Sequence, residues 1–181
     1  MKGVVFTEFL EMVEQRFSAD MADDIIESVT LASGGAYTAV GTYDHQEMVA
    51  LVGALSQRSG VAIPALLKAF GEYLFGRFAQ NYARLIDPSP DAFAFLSGIE
   101  SVVHTEVRKL YPDAQLPTFD VEEHSARRMV LLYRSGRHFE DLAEGLILGC
   151  LRHFGEQATL ARETVGEGPG RAERFVVSRA G

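Results

Sequence analysis

Three polar side chains follow an apolar run in the last third of the chain. The segment RRMVLLYRSGRHF, residues 127–139, presents Tyr133, Ser135 and Arg137 at alternate positions. Alternate side chains of an extended chain share one face, so these three would form a row with steps of about 7 Å. Such a row suits a carboxylate or phosphate, because a guanidinium can meet two oxygens while hydroxyls bond to others. The alternative is a strand at a sheet edge whose polar end simply reaches water.

One of the five histidines differs from the others in its setting. On a helical wheel, His104 lies at the rim of an apolar arc, beside Phe93 and Tyr111, whereas the other four suit a surface or a loop. A zinc site has little support, because Glu100 is the one further metal-binding side chain at a suitable spacing on that face. The common role of such a histidine is a hydrogen-bonded core residue. A neutral imidazole in an apolar pocket would also suffice for a haem iron, which brings four other ligands.

A haem would also require the polar row described above. Its two propionates are carboxylates that need donors at the mouth of a pocket, and Tyr133, Ser135 and Arg137 have that chemistry. Its flat ring needs an apolar cavity, which helices rich in Phe can line. Each feature taken alone is weak.

Composition limits the class of protein. With 181 residues, 47 % of them apolar, the chain suits one domain with a sizeable core. A net charge of −8 argues against non-specific binding to nucleic acid or an acidic membrane. Cys150, the single cysteine, excludes an internal disulfide and a Cys-based zinc cluster. The start lacks the pattern of a signal peptide, and no apolar stretch approaches the roughly 18 residues of a membrane span. We expect a soluble cytoplasmic protein without a nucleic-acid or membrane partner.

Helices are predicted for the first two thirds of the chain. Apolar residues spaced by 3 and 4 indicate a first helix, and Ser18 can cap a second one. Asp44 and Glu47 have the spacing of a capping box and open a helix that stops at Gly60. Pro64 then fits the first turn of a long helix.

The pattern changes near residue 112. Before that point, Ser89 as cap and Pro90 at the first helical position predict a helix that runs to Tyr111. Residues 112–126 indicate a loop with at most a short strand, and 127–135 a strand. A helix from Glu140 and a hairpin around GEGPG complete the chain. Helices first, then an antiparallel sheet with one inserted helix, indicate the α+β class.

Several of these segments together resemble a haem nitric oxide/oxygen binding (H-NOX) domain, the bacterial counterpart of the haem region of soluble guanylate cyclase. They are the opening MKG, His104 in VVHTEVRKLYP, LP at 116–117, YRSGR and AEGLILG. The Tyr-x-Ser-x-Arg element after an isolated helical His is the most specific. The resemblance implies one domain over residues 1–181, with a distal helical part at about 1–62 and a haem-binding α+β part at 63–181. Haem b would be buried between them.

The resemblance also implies a role for individual residues. His104 matches the axial iron ligand, and Tyr133, Ser135 and Arg137 match the clamp on the propionates. Pro117 matches the proline that presses on the porphyrin and distorts it. The other implied haem-pocket positions are Val5, Phe9, Leu74, Phe78, Leu142 and Leu146.

Leu142 bears on the choice of gas. Family members that hold oxygen stably place a tyrosine there, whose hydroxyl donates to bound oxygen, and leucine has no donor. Tyr73 and Tyr82 do not clearly point inward by periodicity. The resemblance therefore implies nitric oxide selectivity, with weak carbon monoxide binding and no stable oxygen complex. With Cys150 alone, the chain cannot form the zinc site of cysteines and a histidine that some members carry.

The implied function is a nitric oxide sensor that is not an enzyme. Release of His104 would signal to a separate protein, either a histidine kinase of two-component signalling or a cyclic-di-GMP cyclase or phosphodiesterase. One alternative is a haem carrier or an oxygen-binding haem protein without a signalling role. Another is an enzyme using Arg137, Ser135 and His104 on a phosphate or carboxylate substrate, although no phosphate loop, nucleophile elbow or acidic dyad supports it.

Overall fold

The computed structural model, which describes residues 1–180, begins with helices and ends with a sheet. Its α-helices are α1 (Gly3–Arg16), α2 (Ala19–Glu27), α3 (His45–Ser59), α4 (Ile63–Asn81), α5 (Ala83–Ile86), α6 (Ala92–Ser97), α7 (His104–Leu110) and α8 (Glu140–His153). Its strands are β1 (Thr118–His124), β2 (Arg128–Arg134), β3 (Ala158–Val165) and β4 (Ala172–Arg179). Helix α8 is inserted between the two pairs of strands, so the predicted α+β class is confirmed.

The four strands form one antiparallel sheet in the order β1-β2-β4-β3. The predicted hairpin around GEGPG is confirmed, because β3 and β4 pair on either side of it. Strand β1 is longer than the short strand expected there. Its sequence shows no alternating apolar pattern because Phe119 is its one buried side chain, although β1 pairs with β2, which follows it directly in the chain.

Two apolar clusters build the core. The first joins α1, α2, α3 and α4 and contains Phe9 and Leu74. The second lies between the sheet, α6 and α8 and contains Phe93 and Phe175. Helices α4 and α8 contribute to both clusters, and Leu146 packs against each of them. These two helices therefore connect the helical half to the sheet.

Glycines allow α4 and α8 to pack closely. A Cβ atom at Gly145 would overlap the Lys68 carbonyl oxygen, and one at Gly71 would overlap the Leu142 carbonyl oxygen. A Cβ at Gly149 would come within 2.7 Å of the Phe75 side chain. The glycines near Leu142 and Leu146 thus serve a helix–helix contact.

The helix predicted to run from Pro90 to Tyr111 is interrupted. Helix α6 ends at Ser97, residues 99–103 form a π-helical turn, and α7 starts at His104. A π-helical turn is wider than an α-helical one, so it rotates the residues that follow away from the predicted wheel. Leu110, which the wheel put on the apolar arc, is consequently 55 % exposed.

Asp91, rather than Ser89, caps α6. The Asp91 backbone is extended, and its carboxylate accepts a hydrogen bond from the Ala94 N–H at 2.8 Å. The predicted cap was wrong because the helix starts two residues later than Pro90 suggested, and Asp91 immediately precedes its first residue.

The other predicted helix ends are confirmed, with one exception. Ser18 and Asp44 accept backbone hydrogen bonds as N-caps, and Gly60 ends α3 in the left-handed conformation. Glu47 does not complete a capping box. Its buried carboxylate instead accepts hydrogen bonds from the hydroxyls of Ser33 and Tyr37, which anchors the segment between α2 and α3.

Over residues 1–180, no single helix is both long and apolar enough to cross a membrane. Helices α3 and α4 meet that criterion together, as a pair bent by 113°.

Candidate functional site

His104 is buried at the start of α7, directly after the π-helical turn. Its Nδ1 lies 2.8 Å from a carboxylate oxygen of Glu100. A carboxylate accepts a hydrogen bond, so Nδ1 carries the proton and Nε2 is the nitrogen that could bind a metal. Burial lowers the pKa of His104 by more than Glu100 raises it. The imidazole is therefore neutral near pH 7, as iron ligation requires.

The same carboxylate connects His104 to the sheet. Glu100 Oε1 also accepts the Phe119 backbone N–H at 3.0 Å, and Oε2 lies 3.7 Å from the Arg108 guanidinium. The Phe119 ring packs between His104 and Tyr133, with centroid distances of 6.2 Å and 5.1 Å. Two predicted site residues from distant parts of the chain are thereby close to one aromatic ring.

The polar row after β2 differs from the predicted one. Tyr133 is buried in the strand, but β2 ends at Arg134, and the next residues form a turn in which the Arg137 N–H donates to Ser135 Oγ at 3.2 Å. The extended row with 7 Å steps was wrong because the strand ends at Arg134 and the chain turns at Gly136 and Arg137, so alternate side chains no longer share one face.

The three side chains of the row remain available as donors. Burial raises the pKa of Tyr133 to about 12, so its hydroxyl stays protonated. The Arg137 guanidinium donates to the side-chain oxygen of Gln115 at 2.9 Å. Pro117 is half-buried and immediately precedes β1, two residues from Phe119. Because Gln115 lies in the loop before β1 and Arg137 in the turn after β2, their hydrogen bond joins the loop to the turn.

The six other residues predicted to line the haem pocket belong to the first apolar cluster or pack against it. Two of them are on α1, two on α4 and two on α8. They are Val5, Phe9, Leu74, Phe78, Leu142 and Leu146. Phe9 packs edge-on against Phe70 at 5.2 Å, and Leu142 is buried. The structure thus gathers these six residues from three helices on the helical side of the molecule, whereas Tyr133 belongs to the sheet cluster.

Tyr73 packs against the same apolar cluster as these six residues, whereas Tyr82 does not belong to that cluster. The buried Tyr73 hydroxyl has no hydrogen-bond partner within the described chain, yet Tyr73 lines a surface groove with Gln15 and Arg152 that contains none of the predicted pocket residues. Tyr82 packs edge-on against Phe78 with a centroid distance of 5.8 Å. Burial raises the pKa of both tyrosines, so both hydroxyls stay protonated.

Three residues of this site had no assigned role in the sequence. Glu100 precedes His104 by four residues, and this spacing on a helix is the signal that indicates a contact between their side chains. Phe119 reaches His104 because β1 folds against the π-helical turn, and Gln115 reaches Arg137 from the loop before β1. The sequence has no local signal for either contact.

The donor groups of these residues are chemically suited to bind a haem. A neutral imidazole has one nitrogen held by a carboxylate and the other free for iron. A guanidinium and two hydroxyls at Arg137, Ser135 and Tyr133 suit two propionates. Apolar side chains on either side suit a porphyrin face.

Comparison with known proteins agrees with this chemistry. A family model described as Haem-NO-binding matches residues 2–162. The unliganded Fe(II) H-NOX protein from K. algicida is 38 % identical over 100 % of this chain and 97 % of its own, with a TM-score of 0.92. The Fe(II)CO H-NOX from Shewanella woodyi is also 38 % identical, over 99 % and 95 % of the two chains, with a TM-score of 0.85.

An H-NOX protein from S. oneidensis in the Fe(II)NO state is 25 % identical over the full length of both chains, with a TM-score of 0.91. A comparison with curated proteins finds no match. Because the family model covers most of the sequence and the fold agrees over its whole length, the chain belongs to the Haem-NO-binding family of H-NOX proteins, which bind haem and sense gases.

Proposed function

We propose that this protein binds nitric oxide at ferrous haem b and signals to a separate protein through release of His104. The observation that carries this proposal is the setting of His104: a buried imidazole whose Nδ1 is held by Glu100 and whose Nε2 is free for iron. A sensor, rather than an enzyme, is the role that this setting and the family support.

When bound, the haem iron supplies the coordination position at which the gas is held. His104 would be its axial ligand. Tyr133, Ser135 and Arg137 would bind the propionates, and Pro117 would press on the porphyrin. Val5, Phe9, Leu74, Phe78, Leu142 and Leu146 would line the side on which the gas binds.

Leu142 supports selectivity for nitric oxide. Bound oxygen is polarised and needs a hydrogen-bond donor in an apolar pocket, whereas nitric oxide does not depend on one. Leu142 has no donor, and the buried members of its apolar cluster include Phe9 and Leu74, while Tyr73 packs against that cluster and also lines a surface groove. We therefore expect weak carbon monoxide binding and no stable oxygen complex.

In this proposal His104 is also the switch for signalling. Across residues 99–110 it is the single fully buried side chain, and together with the half-buried Ile99 and Val103 it anchors α7 and the π-helical turn. A ligand shifts a conformational equilibrium through its different affinity for two states, and loss of the bond to His104 would supply that difference. The receiving protein would be a histidine kinase or a cyclic-di-GMP cyclase or phosphodiesterase in the cytoplasm.

Absorption spectra of the haem-loaded, reduced protein test this proposal. Under nitrogen we expect five-coordinate ferrous haem, which nitric oxide converts to a species without the histidine ligand, while air produces no stable oxygen complex. Protein that takes up no haem would overturn the proposal. The expected spectra without any nitric oxide-dependent effect on a partner would instead favour a haem carrier, whereas a stable complex in air would favour an oxygen-binding protein.

A variant tests the signalling step separately. His104→Ala supplied with free imidazole should bind haem but lose gas-dependent regulation of the partner, since the imidazole is no longer attached to α7. Regulation that matches the wild-type protein would contradict the role of His104 as the tether.

A further inference from the structure

Glu100 contacts the imidazole on the side away from the nitrogen that is free for iron. We propose that Glu100 is a positioning residue that orients His104 and strengthens its bond to the haem iron, an inference that rests on the proposed function. The family comparison does not assign this role.

The geometry holds the carboxylate in place before any ligand binds. Glu100 Oε1 accepts two hydrogen bonds, from His104 Nδ1 at 2.8 Å and from the Phe119 N–H at 3.0 Å. The second oxygen lies 3.7 Å from Arg108. The Glu100 side chain is 32 % exposed and that of His104 is 11 % exposed, so their hydrogen bond is largely shielded from water.

A carboxylate in this position changes the imidazole as a ligand. It fixes the tautomer in which Nδ1 carries the proton, it sets the plane of the ring, and it increases the electron density available at Nε2. A stronger donor forms a stronger bond to iron, so more of the binding free energy of the gas is needed to break it. The positive charge of Arg108 partly neutralises the carboxylate and therefore weakens this effect.

The hydrogen bond from the Phe119 N–H to Glu100 also links His104 to strand β1. If His104 moves away from the haem, Glu100 must either break its bond to His104 or pull on the backbone of β1. Phe119 packs on Tyr133 and lies two residues after Pro117, so β1 would transmit the movement to two other predicted haem contacts.

Two variants with opposite expected effects test the inference. Glu100→Gln removes the charge but keeps the shape, and it should lower the iron–imidazole stretching frequency measured by resonance Raman spectroscopy of the reduced protein. Arg108→Gln should raise that frequency, because the carboxylate would keep its full charge. Glu106→Gln, on the same helix and paired with Lys109, is the matched control and should leave the frequency unchanged.

The kinetics should follow the bond strength. Changes to the hydrogen-bond partners of metal ligands alter affinity by about 10–100-fold. We therefore expect nitric oxide to displace His104 about 10-fold faster in Glu100→Gln than in the wild-type protein.

A measurement without haem makes the inference independent of haem uptake. In the haem-free protein, nitrogen NMR should show His104 protonated at Nδ1, and Glu100→Gln should reduce that preference while circular dichroism stays unchanged. Equal stretching frequencies and equal tautomers in Glu100→Gln and the wild-type protein would overturn the inference. Wild-type protein whose haem never bonds to His104 would overturn the proposed function instead.

Discussion

Leu142 shows how one side chain could set ligand choice. It is buried on α8 within the first apolar cluster, where a donor would be shielded from water. In such a place a hydrogen bond to a polar ligand contributes more than it does in water. The selectivity proposed for this protein is therefore open to reversal by a single substitution.

Leu142→Tyr should create a stable oxygen complex in the reduced protein. A hydrogen bond to a charged or strongly polarised group contributes about 1.5–3 kcal/mol, which corresponds to roughly 10–100-fold slower oxygen dissociation. Stopped-flow absorption spectroscopy measures that rate. Leu142→Phe is the control, since it adds the ring without the hydroxyl and should not bind oxygen stably.

If the tyrosine variant still oxidises in air without a stable complex, Leu142 is not the residue that limits oxygen binding. Thermal unfolding of both variants is needed beside the kinetics, because the larger ring can overpack the core at a cost of about 1–3 kcal/mol.

Among the secondary-structure elements, α4 and α8 pack so closely that their contact requires glycine at several positions. Backbone carbonyls from one helix lie against glycines of the other, at Gly71 and Gly145. These helices carry Leu74, Phe78 and Leu142, so the distance between them controls the shape of the predicted gas-binding side. The packing of the core and the shape of the predicted gas-binding side thus both depend on the contact between α4 and α8.

Gly145→Ala should destabilise the protein by about 1–3 kcal/mol, because the added Cβ would overlap the Lys68 carbonyl oxygen and force the helices apart. Urea unfolding measures the loss. Gly76→Ala is the matched control on α4, where a Cβ meets nothing within 4 Å. It should be neutral or stabilising by about 0.5–1 kcal/mol. Equal destabilisation by both substitutions would contradict the packing role of Gly145.

At the scale of the whole molecule, the residues predicted to contact haem come from both halves. The helical cluster holds the six residues of the predicted gas-binding side, while β2 and α7 carry Tyr133 and His104. A group bound between these halves would join them. Its binding would therefore contribute to the stability of the whole fold and not of one half alone.

Haem removal should lower the midpoint of thermal unfolding. A ligand that binds the folded state alone adds about 2.7 kcal/mol when its free concentration is 100 times its Kd. Calorimetry of haem-free and haem-loaded protein measures the difference, and His104→Ala should reduce it. Identical midpoints with and without haem would mean that the group does not bind between the two halves.

Local patterns in the sequence were sufficient for much of this protein. The α+β class followed from the order of helical and extended segments, and the caps at Ser18, Asp44 and Gly60 followed from residue type and spacing. His104 was separable from the other histidines because periodicity alone put it against an apolar face. Each of these features depends on residues within a few positions of each other, so the spacing of residues in the sequence is enough to predict it.

The tertiary structure decided what depends on distant contacts. The π-helical turn before His104 and the turn after Arg134 changed which side chains share a face. Glu100 accepts a hydrogen bond from β1 as well as from His104, because Phe119, 19 positions further along the chain, folds against the π-helical turn that carries Glu100. No local pattern specifies such a contact, since it forms when separate elements bury their apolar faces together. The sequence by itself therefore determined the fold class and the helix ends that short spacings mark, while tertiary packing determined the break before His104 and which residues hold His104 in place.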